Sequence, residues 1–391
     1  MSVWETKKLG EVIKLEYGKP LPKESRDEGG KYPAYGANGV KCWSNQYYLD
    51  RQSIIVGRKG SAGEVNLTDE KFWPLDVTYF VTYDDTQYDL TFLYHCLKHL
   101  RLTKLAKGVK PGINRNDVYQ IDFAFPPLSE QKRIVAILDE AFEGIDRAIA
   151  NTEKNLANSR ELFESYLNAI FTQKGDGWVE KKLDDICKEI TVGHVGSMAS
   201  KYKDSGIPFL RSQNILPFRI KLDNVVFIDN EFHSALKKSQ LRPGDLAIVR
   251  TGYPGTAAVI PEELKIVNCS DLVIVKPGEN VNPHYLCLFF NSIFGKTLVG
   301  SRLVGAAQKH FNITTAKKVF IPFPCLTEQN CLVTKIDELA IETQRLEAIY
   351  RQKLTALNEL KQSILQKAFT GELTADTANQ VRKTAKEGIA A

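Results

Sequence analysis

Gly295-Lys296-Thr297 has the ending of a phosphate-binding loop, but such a loop needs a further glycine five positions before Gly295, where this chain has Phe290. Phe125-Pro126-Pro127-Leu128 has the outline of the loop with which amino-methyltransferases hold a target amine. That chemistry needs an Asn, Asp or Ser for the amine and an aromatic to stack on the base, and this loop supplies neither at those places. Gly57, Gly60 and Gly63 follow an apolar, β-branched run, yet no ribose-binding acid and helix context come after them. The six histidines (His95, His99, His194, His233, His284, His310) have no ligand spacing with Cys or Asp and read as solvated or core residues. The seven cysteines (Cys42, Cys96, Cys187, Cys269, Cys287, Cys325, Cys331) form no CxxC pair and read as reduced thiols of a cytoplasmic protein. No Ser/His/Asp order stands out. The expectation is a chain without catalytic residues, metal ligands or a cofactor of its own.

What remains is architecture. A length of 391 residues predicts two or three domains at ~150 residues each. A composition of 43% hydrophobic and 25% charged residues is that of a folded globular chain. No apolar run approaches the ~20 residues of a membrane span, and MSVWETKKLGEV lacks the apolar core of a signal peptide. The net charge of +5 permits a polyanionic partner without requiring one.

The sequence is written twice. Trp4, Lys7, Lys8, Leu9 and Val12 recur as Trp178, Lys181, Lys182, Leu183 and Ile186. Arg58, Gly60 and Gly63 recur as Arg250, Gly252 and Gly255, and Asp76-Val77 as Asp271-Leu272. Phe125-Pro126-Pro127-Leu128-Ser129-Glu130-Gln131 recurs as Phe323-Pro324-Cys325-Leu326-Thr327-Glu328-Gln329, and Phe171-Thr172 as Phe369-Thr370. The offset grows from 174 (Trp4 to Trp178) to 198 (Phe125 to Phe323), mostly between residues 40 and 54 of the first copy. One duplication of this length predicts two homologous domains related by a pseudo-two-fold axis.

Each copy has two parts. Residues 1–127 and 175–325 carry short β-branched runs with Gly and Pro punctuation and short helices near 89–106 and 283–299, an α+β pattern of mixed α/β domains. Residues 128–174 and 326–371 read instead as long helices, with Ser129 and Thr327 suited to the caps. In the first, Leu138, Phe142, Ile145, Ile149, Thr152, Leu156, Ser159, Phe163, Tyr166 and Ile170 alternate steps of 4 and 3, a heptad seam. In the second the seam runs Leu332, Ile336, Leu339, Thr343, Leu346, Tyr350, Leu354, Leu357, Ile364 and Ala368, with a stutter at 346–350–354. Helices of ~40 residues extend ~60 Å, beyond the width of their own domains, so each is expected to pair with the other. Connectivity makes the coiled coil antiparallel, with Ile170 near Thr327 and the C-terminus returning to the first domain. Residues 372–391, rich in Ala, Thr and Lys, are expected to form a flexible tail.

A Trp-x-x-x-x-Leu start, a Gly-rich Arg/Gly loop after a strand, an Asn114/Asn312 turn and PPLSEQKRIV or PCLTEQNCLV opening a long helix that ends in Phe-Thr, all twice, resemble the specificity subunit of type I restriction-modification systems. The likeness covers residues 4 to 373. It implies two target recognition domains, each reading one half of a split, asymmetric sequence in double-stranded DNA. It also implies a non-catalytic subunit that docks two methyltransferase subunits, which bring S-adenosylmethionine, and restriction motor-nuclease subunits. The competing reading is a stand-alone DNA-binding or regulatory protein on the same scaffold. Charge is nearly balanced in each half, with 18 basic and 17 acidic residues in 1–130 and 19 and 15 in 175–328, so partners are expected to supply much of the grip on DNA.

The side chains expected to touch DNA are polar or basic and sit in Gly-punctuated loops. In the first domain they are Tyr17, Lys19, Lys23, Tyr35, Asn38, Arg58, Lys59, Ser61, Lys110 and Arg115. In the second they are Lys201, Tyr202, Lys203, Arg211, Gln213, Asn214, Arg250, Tyr253, Gln308 and Lys309. Arg58 and Arg250 lead, because they recur beside glycines that would let backbone approach DNA. Phe171, Leu162, Leu167 and Leu365, off the seam, are read either as methyltransferase contacts or as core closure.

Overall fold

The computed structural model describes residues 4–303 and 310–374. The expected DNA contacts Gln308 and Lys309, and residues 375–391 of the expected tail, lie outside the described residues. The chain divides into two compact units, one of Met1–Thr152 with Gln352–Ala391 and the other of Glu153–Arg351. Both long helices, Leu128–Gln173 and Leu326–Thr370, therefore contribute to both units.

In the first unit Glu5–Lys8 pairs antiparallel with Asp122–Phe125, joining the start of the domain to the strand that feeds the long helix. A four-stranded antiparallel sheet follows, in the order Ile13–Tyr17, Thr78–Tyr83, Ile54–Gly57, Val65–Leu67. Its central strands are apolar at successive positions because both faces are covered. Ile54, Val56, Tyr79 and Val81 enter the main core, while Ile55 and Phe80 enter a smaller cluster on the other face. A three-stranded sheet of Gly39–Ser44, Tyr32–Gly36 and Trp73–Pro74 completes the domain.

The second unit repeats this plan. Val179–Lys182 pairs with Phe320–Phe323, and a sheet runs Cys187–Val192, Leu272–Pro277, Leu246–Val249, Ala257–Val259. Leu246, Ile248, Val273 and Val275 face one core, and Ala247, Val249, Leu272 and Ile274 face another. Its extra length lies between Ile207–Leu210 and Leu246–Val249 and builds the hairpin Ile215–Leu216/Arg219–Ile220, the strand Val226–Ile228 and the helix Asn230–Ala235. The helices Leu90–His99 and Pro283–Asn291 start at matching caps, Asp89 and Asn282, whose side chains accept the N–H of Phe92 and His284.

The long helices begin one residue before the expected caps. Glu130 and Gln131 donate their N–H groups to the carbonyl of Pro127, and Glu328 and Gln329 to that of Cys325, so Ser129 and Thr327 lie inside the first turn. The recurrent glutamines fasten each helix to its domain. Gln131 accepts from Asp89 N (2.9 Å) and donates to Gln87 O (3.2 Å) and Pro126 O (2.9 Å). Gln329 makes the same three bonds, to Asn282 N, Asn280 O and Pro324 O, at 2.9, 3.2 and 3.0 Å. Both side chains are buried.

Each unit pairs a stretch of one long helix with a stretch of the other in the antiparallel sense. In the first, Asp146 meets Lys361 at 2.7 Å while Ile134 and Leu138 share a core with Leu365 and Ala368. In the second, Arg160 forms a bidentate pair with Glu347 (2.8 and 3.0 Å) while Phe163 and Ile170 join the core of Leu332, Val333 and Ile336. The seam departs from strict heptads at two places. Leu167 and Phe171 are buried where Tyr166 was expected, and Tyr166 is exposed. Leu346 is exposed too, and its place is taken by Glu347, the partner of Arg160. Consecutive steps of four then fall at 339–343–347, one heptad (about two helical turns) earlier than the expected stutter. Thr152 and Ser159, the polar seam members, return their hydroxyls to Ala148 O and Leu156 O and so cost little on burial.

Candidate nucleic-acid interface

The recurrent Arg/Gly loop has one backbone geometry in both domains. Gly63 N donates to Gly57 O (2.8 Å) and Gly57 N to Glu64 O (2.8 Å). At the matching positions Gly255 N donates to Val249 O (3.0 Å) and Val249 N to Thr256 O (2.8 Å). Gly60 and Gly252 take φ of 80° and 87°, which a side chain would strain, and the space beside each is open. Gly63 is different: a Cβ there would meet Thr103 N at 2.4 Å, so this glycine packs against its own domain rather than leaving room for DNA. A second segment docks on the loop in each domain, through Ile113 N to Arg58 O (3.1 Å) and Phe311 N to Arg250 O (3.1 Å). Asn114 and Asn312, just beyond, cap short helices by accepting from Asn116 N and Thr315 N and are turn-forming residues.

This packing gathers Tyr17, Arg58, Lys59, Lys110 and Arg115 of the first domain around one loop pair. Arg58 sits over the Tyr17 ring at 5.3 Å and Arg115 at 5.0 Å from the same centroid. Arg58 donates Nε and Nη2 to Asp76 O (3.2 and 2.6 Å), and Arg115 donates Nη1 to Leu15 O (3.3 Å). Lys19, Lys23, Asn38, Lys59 and Lys110 are exposed; Ser61 is half-buried. Tyr35 is not at the surface. It is 6% exposed, packs edge-on against Phe72, and its hydroxyl accepts from Asp69 N, while burial raises its phenol pKa.

The second domain treats its recurrent arginine differently. Arg250 is tied to the Asp271 carboxylate at 2.6 Å, its side chain 17% exposed, and Thr251 bridges Asp271 and His310 Nδ1. A partly buried guanidinium neutralised by a carboxylate is a poor reader of an anionic duplex, so the expected equivalence of Arg58 and Arg250 does not hold in their surroundings. Asn214 is fully used inside the domain, accepting from Arg211 N and donating to Lys221 O. Arg211 lies over Tyr202 at 5.7 Å and donates to Asn224 O (3.1 Å). Lys201 covers Phe232 and Lys203 pairs with Asp229 at 3.6 Å. Gln213 is exposed, and Tyr253 stands 83% exposed at the tip of the Gly252–Gly255 turn. Sequence reasoning passed over an aromatic surface on the first domain, where Trp43, Tyr47 and Tyr48 are exposed, Tyr32 meets Tyr47 at 5.0 Å and Lys71 covers Tyr47. Its only sequence signal is the density of Tyr and Trp between residues 32 and 48.

The buried Cys287 and half-buried Cys187 thiols are poor nucleophiles: loss of solvation pushes both up to about 12. Burial likewise holds His95 down to about 4, leaving it neutral between Tyr94 and Phe142. Among the described residues no group of three or more His, Cys, Asp or Glu could hold a metal ion, and no helix is long and apolar enough to cross a membrane. The arrangement offers ordered cations and aromatics at loop surfaces, suited to contacting a polyanion.

The family model for the type I restriction modification DNA specificity domain matches residues 1–157 and 175–356, once for each copy of the repeat. The chain belongs to that family. Its members are the non-catalytic recognition subunits of type I restriction-modification systems. The specificity subunit of the EcoBI type I restriction enzyme of Escherichia coli is 23% identical, the match covering 84% of this chain and 75% of the relative. That of the EcoDI enzyme, also of Escherichia coli, is 22% identical over 95% of this chain and 89% of the relative. A solved chain from work on complex assembly and conformational transition of the type I R-M system aligns over 95% of this chain and 98% of its own length, with a TM-score of 0.73 at 19% identity, a likeness of fold. In this type I specificity subunit the glutamines of the duplicated PPLSEQ and PCLTEQ motifs have a structural duty: each is buried and holds the start of a long helix to its own domain.

Proposed function

We propose that this chain reads a two-part, asymmetric DNA target with one domain on each half, and that its long helices carry two methyltransferase subunits and, through them, restriction motor-nuclease subunits. The recognition domains in this reading are residues 1–127 and 175–325, and the spacer helices 128–174 and 326–371. The methyltransferases supply S-adenosylmethionine and the chemistry, and the assembly works in the cytoplasm. The observation that carries the reading is one loop backbone, built twice, bearing different side chains. Two similar but non-identical domains suit two different half-sites, whereas two identical ones would suit a palindrome. Arg58, Lys59, Lys110 and Arg115 with Tyr17, and Arg211, Gln213, Lys201 and Tyr253 in the second domain, are the proposed contacts. Leu162, which is 61% exposed, and the exposed Tyr166, Ile341, Leu346 and Ile349 on the spacer helices are the proposed methyltransferase footing. Phe171, Leu167 and Leu365 are core residues and are not part of it.

Co-expression with the methyltransferase subunits tests the whole proposal. A stable complex whose methylation map shows a split motif is the expected result, and exchange of 1–127 for another family member's domain is expected to rewrite one half of that motif only. Tight, sequence-selective binding by the isolated chain, with no complex formed, would favour the stand-alone DNA-binding protein instead. The helices carry a mechanical expectation as well. Four residues inserted after Leu156 and four after Tyr350 add ~6 Å to each helix, which corresponds to an unread gap longer by about two base pairs at ~3.4 Å each. An unchanged gap in the methylation map would exclude a spacer role for them.

A further inference from the structure

In the first domain, two guanidinium groups stack on one tyrosine ring, and neither has a carboxylate partner among the described residues. Tyr17 is 47% exposed, and its ring rests on that of Tyr79 at 5.2 Å. Tyr79 is buried in the sheet, and its hydroxyl reaches Ile113 O at 3.4 Å, so the platform beneath Tyr17 is rigid. Arg58 and Arg115 lie 5.3 and 5.0 Å from the Tyr17 centroid, each anchored along one edge by a main-chain carbonyl. The second domain repeats the device at another place in its fold. Tyr202 rests on the fully buried Phe209 at 6.2 Å, and Arg211 lies over Tyr202 while donating to Asn224 O.

These arrangements contrast with Arg250, which is ordered by Asp271. A carboxylate orders an arginine but cancels the charge that a phosphate or a guanine edge would meet. A ring face with a carbonyl also orders it, and leaves the charge and most of the five N–H donors free. An arginine held this way loses less freedom on binding, which favours a bidentate contact over a floppy one.

We propose that Tyr17 and Tyr202 are positioning residues for DNA reading: each stacks the arginines that read its half-site, Arg58 and Arg115 in the first domain and Arg211 in the second. The inference rests on the DNA-reading function proposed above and adds that the reading centres of the two domains lie at non-equivalent places. The first is at the Arg/Gly loop. The second is at the segment preceding and following strand Ile207–Leu210, because the Arg/Gly loop of that domain has its arginine neutralised.

The test uses the full chain in complex with its methyltransferase subunits, scored by methylation of a random-sequence DNA library and by salt titration of binding. Tyr17→Leu is expected to relax base preference at one or two positions of one half-site by roughly 10- to 100-fold, the range of one bidentate arginine–guanine contact. Tyr17→Phe, which keeps the ring, is expected to preserve the motif. Tyr202→Leu and Tyr202→Phe are expected to do the same in the other half-site. A Tyr17→Leu complex that melts like the parent and keeps its motif and salt dependence would overturn the proposal, as would Tyr17→Phe relaxing the motif as far as Tyr17→Leu. Should Tyr17→Leu fail to fold, Arg115→Lys replaces it: the charge stays and the planar stack goes, so the same positions are expected to relax, and an unchanged motif again overturns the proposal. A parent complex that methylates without sequence preference would defeat the underlying DNA-reading function instead, a result separable from all of these.

Discussion

Replacing Phe369 with alanine is expected to destabilise the first unit by about 3–5 kcal/mol, the usual cost of emptying a buried phenylalanine site. Phe369 is 8% exposed, with its ring 5.4 Å from both Phe92 and Phe123 and 5.1 Å from His99. It stands near the end of the helix that leaves the second domain, yet it completes the core of the first, together with Leu365 and Ala368. Phe171 does the reciprocal service, ending the helix that leaves the first domain and packing on Tyr285 and Phe289 at 5.5 and 5.4 Å inside the second. Each recognition domain is therefore closed by the arriving helix as well as by its own chain. Thermal or urea unfolding should show the loss, and hydrogen exchange should place it in Ile54–Gly57 and Thr78–Tyr83 while Leu246–Val249 and Leu272–Pro277 keep their protection. Equal loosening of both sheets, or none, would refute this account of closure.

Gln329→Leu is expected to cost about 3–5 kcal/mol, for a different reason. The leucine fits the volume but leaves Asn282 N–H and the carbonyls of Asn280 and Pro324 without the partner they have in the parent. Each buried group left unsatisfied costs about 1–3 kcal/mol. Gln329→Glu restores an acceptor for Asn282 but no amide donors, and a buried carboxylate facing two carbonyls is itself penalised, so it is expected to rescue little. Gln131→Leu should behave alike in the first unit, since its three bonds are the same in kind and length. Chemical denaturation of the four proteins measures this directly. A Gln329→Leu protein within about 0.5 kcal/mol of the parent would show that the glutamine is no fastening, since surface substitutions typically fall inside that range.

These two sites show how function and fold divided the repeated motifs. The Glu-Gln pair after each Pro recurs because a helix start needs a polar anchor in a buried corner, and Phe-Thr recurs because the far end of each helix fills a core. Neither duty was separable from DNA contact by spacing alone. Arg58 and Arg250 recur as well, and their backbone partners are the same, yet one faces a tyrosine and a carbonyl and the other a carboxylate.

By itself the sequence determined the duplication, the two mixed α/β domains joined by two long helices, and the lack of recognisable catalytic motifs in its own pattern. These depend on local pattern: a heptad seam, a Pro before a helix and a β-branched run between glycines act through neighbours a few residues away. Only the tertiary structure decided which polar loop residues face outward. Tyr35 and Asn214 are spent inside their domains because Asp69 and Lys221, 34 and 7 residues away, supply their partners. Arg250 is neutralised by a residue 21 positions on, and Arg115 meets a tyrosine about a hundred residues earlier in the chain. The seam followed the same division: Leu167 and Glu347 displaced Tyr166 and Leu346 because the surrounding domain and the facing helix, rather than the heptad count, set which side chain had somewhere to pack. Burial and charge pairing are long-range quantities, and no spacing rule along one chain encodes them.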